Sequence, residues 1–279
     1  QESNPQFIFQ KNIYKSIFSS PRSQVITSDI IRSLDREKML EIPRKMTANA
    51  ADFQFVFVGD VNLDTIIPLL EQYVATLPAD TKKVTNKAVI DMSQEFKPGK
   101  GVETFTTKMA TPQTYVFLAL SDKVPYTGKN SIVCSIVGKV LSNRLLKTVR
   151  EDMGAVYSIS AQGSMDRVGY RNVMLQSAFP MKPEMKQEVL DFIDGCIANM
   201  ENDVTAEELA TATEYMLKNA AERRELNSGW INAMGGAALN GVDTFNNKEA
   251  DIKSVTVDDV KTFVKKLRAA GNYRVVVLD

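Results

Sequence analysis

The sequence predicts an α+β fold in which a mostly antiparallel β-sheet is backed by helices on one face. Three observations support this class. Two strand patterns are followed by a long amphipathic helix, a predicted hairpin and a mostly helical remainder. Gly163 and Gly169 lie between two strand patterns, as in an antiparallel hairpin. A helix–turn–strand pattern also occurs twice, at residues 33–58 and 254–278.

The residue pattern in the first part of the chain predicts short helices, a strand, a further helix and then a linker. Residues 28–46 have the apolar spacing of one or two short helices. The apolar segment Phe53–Val58 is predicted to be a strand, and Leu63–Leu77 is predicted to be a helix. Residues 79–101 are polar, mixed in charge and terminated by glycine and proline, a composition that predicts an interdomain linker.

The residue pattern in the second part of the chain predicts the strands and helices of one complete domain. In chain order we expect strands near 103–109 and 113–120, a helix over 128–150, a strand that carries Tyr157, a partner strand near 170–179, helices over 183–200, 205–226 and 256–267 with a further helix near Trp230, and a closing strand at 273–278. Thr205 and Glu208 have the spacing of a capping box, and Thr256 is predicted to cap the last helix.

The two similar segments suggest where domains end. A cap, an amphipathic helix, an alanine-rich turn and a strand that begins with an aromatic residue recur in the same order at 33–58 and 254–278. Two unrelated units of this common type are the alternative. If the similarity is a duplication, both copies should lie near the end of a domain, and the chain holds the tail of one repeat followed by one complete repeat.

Composition excludes several kinds of function. Lysine plus arginine and aspartate plus glutamate number 34 each, so the basic surface typical of a nucleic-acid-binding protein is not indicated. No apolar segment approaches the roughly 18–20 residues that span a bilayer. The sequence contains no histidine, so the chain by itself can form neither a His-x-x-Glu-His zinc site nor a Ser–His–Asp triad. Cys134 and Cys196 are predicted to be buried free thiols, and they leave the redox compartment undecided.

Two large polar side chains flank one tight reversal of the chain. Arg150 ends the predicted long helix, the pattern breaks at Gly154, and Tyr157 begins the next predicted strand. Arg150 could simply cap its helix, because a helix C-terminus favours a cation. Tyr157 shares a predicted strand face with Ile159 and Ala161, so it could be an ordinary half-buried strand tyrosine.

A family resemblance begins at these residues. Asn143-Arg144-Leu145, Val149-Arg150-Glu151, Gly154 and Val156-Tyr157-Ser158 together resemble the C-terminal half of the pitrilysin/insulinase zinc metalloproteases, the inverted zincins, of bacterial type. The resemblance extends over nearly the whole chain. It includes Phe53–Asp60 with the following helix and Leu77-Pro78, and Glu225-Leu226-Asn227 leading to Trp230.

The resemblance implies a domain organisation. Members of the family contain similar α+β domains in tandem, two in each half of a full-length protease. Residues 1–78 are then the C-terminal part of a first, truncated pitrilysin-like domain, residues 79–101 are a linker, and residues 102–279 are a complete C-terminal domain. The zinc motif His-x-x-Glu-His belongs to the N-terminal half of such proteases and is absent from this sequence.

The resemblance also implies a function. It makes this chain the non-metal half of a zinc metallopeptidase, in which Arg150 and Tyr157 reach a peptide substrate held at the zinc of the partner half. That N-terminal half is expected on the same polypeptide or in a separate subunit, and the present chain should bind no metal and be inactive alone. Resemblance to bacterial members further implies the periplasm or cell envelope.

Two alternatives stand beside this hypothesis. The chain could be a catalytically inactive family member that acts as a structural or partner subunit, like the core proteins of a respiratory complex. It could also be an unrelated α+β binding module in which Arg150 and Tyr157 are purely structural. A His-x-x-Glu-His motif encoded upstream, or in a neighbouring frame, favours the first hypothesis over the second.

Overall fold

Ten α-helices and five β-strands form the regular structure of the described residues, which in this computed structural model are 2–20, 23–83, 96–166, 173–241, 243 and 245–279, without the side chains of 83, 239 and 240. The helices are α1 (Pro5–Ile17), α2 (Ser28–Ser33), α3 (Arg36–Met46), α4 (Leu63–Tyr73), α5 (Gly128–Leu145), α6 (Lys186–Asp203), α7 (Ala206–Arg224), α8 (Asn227–Asn240), α9 (Lys248–Lys253) and α10 (Val257–Ala269). The strands are β1 (Lys100–Phe105), β2 (Thr114–Asp122), β3 (Ala161–Met165), β4 (Val173–Met181) and β5 (Tyr273–Leu278).

These elements form two compact units. The first contains all five strands together with α1, α5, α6, α9, α10 and most of α7. The second contains α2, α3, α4 and α8. Three predicted stretches lie outside the described residues: 84–95 of the linker predicted at 79–101, 167–169 of the hairpin turn, and 170–172 of the partner strand predicted near 170–179.

The first unit is built on a five-stranded sheet with the order β1-β5-β2-β4-β3. The β1–β5 pairing is parallel, whereas the β5–β2, β2–β4 and β4–β3 pairings are antiparallel. The sheet is therefore mixed, and the predicted α+β class is confirmed. The last strand of the sequence, β5, lies inside the sheet between β1 and β2.

One face of the sheet is covered by α5, α6 and α10. Alternate residues of a strand point to opposite faces, and the set that includes Val116, Leu118 and Val275 lies on the side of these helices. These side chains are at most 4% exposed, and Ile136 of α5 and Ile193 of α6 are also fully buried. This layer is the main hydrophobic core of the unit.

The opposite face of the sheet is covered by α1, so the prediction of helices on one face only is wrong. One buried cluster there comprises Phe9, Ile17, Phe96, Phe117, Ala119, Val276 and Leu278. The Ser16 hydroxyl of α1 also donates a hydrogen bond of 2.9 Å to the Glu103 carboxylate of β1. The uninterrupted apolar run 115–120 in β2 is the sequence signal for a strand that is buried on both faces.

The backbones of α5 and β3 approach each other closely at two glycines. A Cβ atom added to Gly138 would lie 2.1 Å from the backbone nitrogen of Gly163. A Cβ atom added to Gly163 would lie 1.9 Å from the carbonyl oxygen of Cys134. Neither position has room for a side chain, so the long helix rests directly on the edge strand of the sheet.

Two predicted helix starts are present. The Glu208 backbone N–H donates to the Thr205 hydroxyl at 3.2 Å, and the Thr205 N–H donates to the Glu208 carboxylate at 3.0 Å. Thr256 and Asp259 make the same reciprocal pair of bonds at the start of α10. Each arrangement satisfies two backbone groups that would otherwise lack partners at a helix N-terminus.

The second unit has helices but no buried layer. Residues 26–83 and 220–245 contain no buried residue among those described. Contacts within the unit include the Trp230 ring, whose centroid lies 4.7 Å from that of the Phe245 ring, and a hydrogen bond of 2.8 Å from Trp230 Nε1 to the Arg224 carbonyl. The helices of this unit therefore keep their apolar faces exposed.

The strand predicted at Phe53–Val58 is not part of a sheet in the described structure. The Phe53 backbone is extended, but no described strand pairs with this segment. The prediction of a paired strand is therefore wrong for the described residues. The first copy of the repeated pattern contains its helix, α3, without the sheet that surrounds β5 in the second copy.

Candidate functional site

The end of α5 changes its winding before Arg150. Residues Leu146–Asp152 form a π-helical turn, and the Met153 N–H donates to the Thr148 carbonyl at 2.9 Å. Gly154 follows with a φ of +61°, a left-handed conformation that glycine adopts without strain. π-Helical turns are rare, and they occur frequently at functional sites.

The backbone after this turn is held at several points. The Ala155 N–H donates to the Val149 carbonyl at 3.0 Å, and the Ala155 carbonyl accepts from the Lys182 N–H at 3.1 Å. The Ser177 hydroxyl donates to the Ser160 carbonyl at 2.7 Å. Ala155, Val156 and Ile159 are buried. The loop between the π-helical turn and β3 is thus fixed by hydrogen bonds and by burial of its apolar side chains.

Tyr157 projects from this fixed loop into solvent. Its side chain is 90% exposed, whereas the neighbouring Val156 is 8% exposed. The strand β3 begins only at Ala161, so the prediction that Tyr157 lies in a strand is wrong, and so is the alternative of a half-buried strand tyrosine. Ile159 is buried although alternation predicted that it shares a face with Tyr157. The chain bends at Tyr157, so simple strand alternation does not hold here.

Arg150 is also exposed. Within the described part of the chain, neither the Arg150 guanidinium nor the Tyr157 hydroxyl makes a hydrogen bond, an ion pair or a ring contact. The Arg150 side chain therefore donates no bond to a carbonyl of its own helix there. The two side chains flank one hydrogen-bonded reversal, and their donors have no partner among the residues that the structure describes.

A second arginine near this reversal is used differently. Arg144 Nε and Nη2 donate to the two carboxylate oxygens of Glu208 at 2.6 and 2.8 Å, and Nη1 donates to Asp203 at 2.8 Å. This two-bond fork joins α5 to the start of α7. The sequence analysis used Arg144 only as part of a motif, because its partners lie 59 and 64 residues away and leave no local spacing signal.

We expect Arg144→Lys to lower the free energy of unfolding by about 2 kcal/mol, because lysine cannot reproduce the planar fork to a partly buried carboxylate. Urea denaturation followed by circular dichroism measures this change. Lys253→Ala breaks an exposed pair with Glu249 and should change the same quantity by only about 0.5 kcal/mol. Equal effects of the two substitutions would contradict a structural role for Arg144.

The Glu208 carboxylate should make the free energy of unfolding depend on pH in the acid range. Burial raises the pKa of this carboxyl, but hydrogen bonds from Arg144 and Thr205 outweigh burial and hold the pKa below its ordinary value. A lowered folded-state pKa adds stability above the ordinary glutamate value of about 4.3, and that stability is lost as the pH falls through the lower folded value. We therefore expect Glu208→Gln to flatten the fall in unfolding free energy below that pH. The matched change Glu222→Gln, at an exposed position of α7, should leave the slope as in the wild type.

The residues of this chain do not fit a zinc site. The sequence contains no histidine. Within the described ranges, no group of three or more histidine, cysteine, aspartate or glutamate side chains could hold a metal ion. The two cysteines are buried free thiols, as predicted, and burial raises the pKa of the Cys134 thiol to about 12, which disfavours the thiolate that zinc requires. No described helix is both long and apolar enough to cross a membrane.

Comparison with known sequences gives a family match. The sequence model of the family described as the peptidase M16 inactive domain matches residues 33–216, which is more than half of the chain. The chain is also 18% identical, over 281 residues, to the probable zinc protease PqqL of Escherichia coli strain K12. That alignment covers 95% of this chain and 28% of PqqL, so the chain spans less than a third of the curated relative it matches.

Solved structures share the fold. The periplasmic protease PqqL from Escherichia coli superposes with a TM-score of 0.80 at 18% identity, over 99% of this chain and 31% of that one. A peptidase M16 inactive domain from Pseudomonas fluorescens superposes with a TM-score of 0.75 at 16% identity, over 100% of this chain and 66% of that one. A chain of Complex III2 from Candida albicans gives a TM-score of 0.70 at 12% identity, over 99% and 66%.

Proposed function

Because this chain belongs to the family of peptidase M16 inactive domains, we propose that it is the non-metal C-terminal half of a zinc metallopeptidase. In this proposal it supplies substrate-binding side chains for peptide hydrolysis at a metal held by another half. The observation that carries the proposal is the pair formed by Arg150 and Tyr157. Both are exposed and have no described partner, although the backbone between them is fixed.

The chemistry of the two side chains suits this role. Arg150 is a permanent cation with five donors, so it can hold the carbonyl groups or the carboxylate of a peptide. Tyr157 has a phenolic hydroxyl that can donate a hydrogen bond to the oxyanion that develops at the scissile carbonyl. Neither group activates water, so the water-activating base and the metal must come from elsewhere. The hydrogen bonds at Ala155 keep the two side chains on one preorganised loop.

The partner in this proposal is an N-terminal half that carries His-x-x-Glu-His and binds the zinc. It is part of the same polypeptide or a separate subunit, and a peptide substrate binds between the two halves. The similarity to PqqL, which is named a probable zinc protease, supports this assignment. Bound zinc would polarise the scissile carbonyl and lower the pKa of a water molecule, and the present chain would orient the substrate.

The proposed domain boundaries follow the same family organisation. Residues 1–78 form the C-terminal part of a first domain, residues 79–101 a linker, and residues 102–279 a complete second domain. The absence of buried residues from the described parts of 26–83 supports the incomplete first domain. Helix α1 belongs to the first segment in sequence, although it packs on the sheet of the second. We further propose the bacterial periplasm or cell envelope, because the similar PqqL structure is that of a periplasmic protease.

Reconstitution of the two halves tests the proposal. We expect the present chain alone to cleave no peptide and to retain no zinc after dialysis, because it lacks histidine. Adding the zinc half should produce cleavage above that of the zinc half alone. Cleavage of a fluorogenic peptide library and metal analysis of the dialysed protein are the two measurements. Stoichiometric zinc in the present chain, or cleavage by it alone, would contradict the proposal.

One observation favours a second candidate function. The fold also matches a chain of the respiratory assembly Complex III2 from Candida albicans, so the same architecture can belong to a component of a large complex. The second candidate is therefore a catalytically inactive family member that acts as a structural or partner subunit. In that case the reconstituted halves should associate without cleaving any peptide, and no His-x-x-Glu-His motif should be encoded with the chain.

A further inference from the structure

One face of the sheet in the first unit is covered over only part of its width. Helix α1 packs on the strands β5 and β2, where Phe117 and Val276 are buried on its side. The strands β4 and β3 continue the same face, but no described residue of theirs is buried there. We call this uncovered part the open face, and its residues are Gln162, Ser164, Met174, Gln176, Ala178 and Pro180.

The other side of the same strands is closed. In β4, the alternate residues from Val173 to Met181 that lie on the side of α5 are all buried. β4 is therefore a fixed part of the sheet, with neighbours β2 and β3 on its two edges. The open face is thus a firmly held surface that no described residue covers.

Two side-chain amides lie next to each other on the open face. Gln162 of β3 is directly opposite Gln176 of β4, so their Cβ atoms are about 4.5–5.5 Å apart. Gln162 is exposed and Gln176 is half-buried. Neither amide makes a hydrogen bond to a residue that the structure describes, and they do not bond to each other. Each therefore presents one acceptor oxygen and one NH2 donor on the same side of the sheet.

This pair of glutamines lies near the candidate site. The loop that carries Tyr157 runs along β4, because the Ala155 carbonyl accepts from the Lys182 N–H and the Ser160 carbonyl accepts from the Ser177 hydroxyl. Tyr157 lies between these two contacts, and Gln162 follows it by five residues. Since five residues span at most about 17 Å, an extended peptide that reaches Tyr157 can reach the glutamine pair in about three to five residues.

We propose that Gln162 and Gln176 together bind one amide group of a peptide substrate, about three to five residues from the scissile bond. The proposal rests on the proposed function, because it takes Tyr157 to mark the scissile bond. An amide group has a donor and an acceptor, and two adjacent side-chain amides can supply the acceptor and the donor that it needs. The substrate class that this subsite selects is an extended peptide of about six or more residues, with no charge required at this position.

A peptide suits the open face better than a second copy of this chain does. Met174 is already packed against the buried cluster under α1, and Ala178 has a small side chain, so the open face offers little apolar area. A stable interface between two copies needs a larger apolar centre than this. A peptide needs hydrogen-bonding partners for its amide groups, and the glutamine pair provides them.

Peptide length and substitution together test the proposal. The double change Gln162→Met and Gln176→Met keeps both side chains close to their original size and removes both amides. In the assembled two-half enzyme, we expect it to raise KM about tenfold for a ten-residue peptide with five residues on each side of the scissile bond. KM for a four-residue peptide with two residues on each side, and kcat for both peptides, should stay as in the wild type. Steady-state kinetics measures these constants.

Gln187→Met is the matched control, because the Gln187 amide donates to Asp191 within α6, on the other side of the sheet. It should leave KM unchanged for both peptides. An equal rise in KM for the two peptide lengths in the double variant, or no rise for the longer peptide, would overturn the proposal. If the double variant unfolds, the two single variants give the same comparison.

The peptide sequence separates two sources of the bound amide group. A ten-residue peptide with alanine at every position outside the scissile bond offers only main-chain amides to the glutamine pair. A rise in KM of the double variant for this peptide shows that the pair binds the main chain. A rise that occurs only when asparagine or glutamine replaces one of these alanines shows that the pair binds a substrate side chain.

Binding and turnover separate this proposal from the proposed function. Fluorescence anisotropy of the labelled ten-residue peptide gives its Kd for the assembly after treatment with a zinc chelator. An assembly that cleaves no peptide, but binds this peptide about tenfold more tightly than the double variant does, supports the subsite and contradicts the peptidase assignment. An assembly that cleaves the peptide with the same KM in the wild type and the double variant supports the assignment and overturns the subsite.

Discussion

Replacing Tyr157 with phenylalanine is expected to lower the turnover number of the assembled two-half peptidase by about a hundredfold, the usual cost of one lost donor to a developing oxyanion. The same change should alter the free energy of unfolding by less than about 1 kcal/mol, because the hydroxyl is exposed and has no partner within the described residues. Steady-state kinetics and urea denaturation measure the two quantities. Tyr215→Phe is the matched control, because this tyrosine of α7 is also exposed and contacts Lys139 instead.

Arg150→Ala should likewise impair the assembled enzyme more than it affects folding. If the guanidinium holds the substrate, KM or turnover changes by at least about tenfold while the free energy of unfolding stays nearly constant. Lys147→Ala, at an exposed position in the same π-helical turn, should leave both kinetic constants near those of the wild type. Full activity in both the Tyr157 and Arg150 variants, or losses explained entirely by unfolding, would assign the pair a structural role.

The second large effect concerns stability. Gly138→Ala is expected to lower the free energy of unfolding by about 3 kcal/mol, because its Cβ would lie 2.1 Å from the backbone nitrogen of Gly163. A backbone atom of a strand in the sheet cannot move aside as the tip of a side chain can. Either α5 must shift away from β3 or the strand must distort. Denaturant unfolding followed by circular dichroism gives the change directly.

Gly195→Ala provides a control with the opposite sign. Gly195 also lies inside a helix, α6, but a Cβ there meets no atom within 4 Å. Alanine should therefore stabilise the protein by about 0.5–1 kcal/mol through its higher helix propensity. If Gly138→Ala changed the free energy of unfolding by no more than Gly195→Ala does, this would show that α5 can move away from β3 at little cost.

Much of the fold could be predicted because its signals are local. The predicted capping box at Thr205 and the predicted cap at Thr256 depend on residues three positions apart, and both are present in the structure. The strands β2 and β5 are short apolar runs bounded by polar residues, and both were predicted close to their observed positions. Such patterns depend on the hydrogen-bonding needs of one helix end or on the burial of one strand.

The placement of Tyr157 could not be predicted because it depends on distant contacts. Alternation alone put Tyr157 and Ile159 on one strand face. In the structure, hydrogen bonds from the Ala155 N–H to Val149, from the Lys182 N–H to Ala155 and from the Ser177 hydroxyl to Ser160 keep the backbone in a loop until Ala161. The fork between Arg144 and Glu208 and the packing of α1 on the sheet depend on similar long-range contacts. The residue types at the reversal pointed to the family, but the exposure of Tyr157 could not be predicted from the sequence.

The interior position of β5 in the sheet has a consequence for how the chain is made. Thr114 of β2 donates a hydrogen bond to the Asp279 side chain, and these two residues are 165 positions apart. On the ribosome, β1 and β2 emerge long before β5, the strand that lies between them. Their apolar faces stay exposed until β5 is synthesised. The sheet can therefore close only after β5 has emerged, and until then the apolar faces of β1 and β2 are open to aggregation.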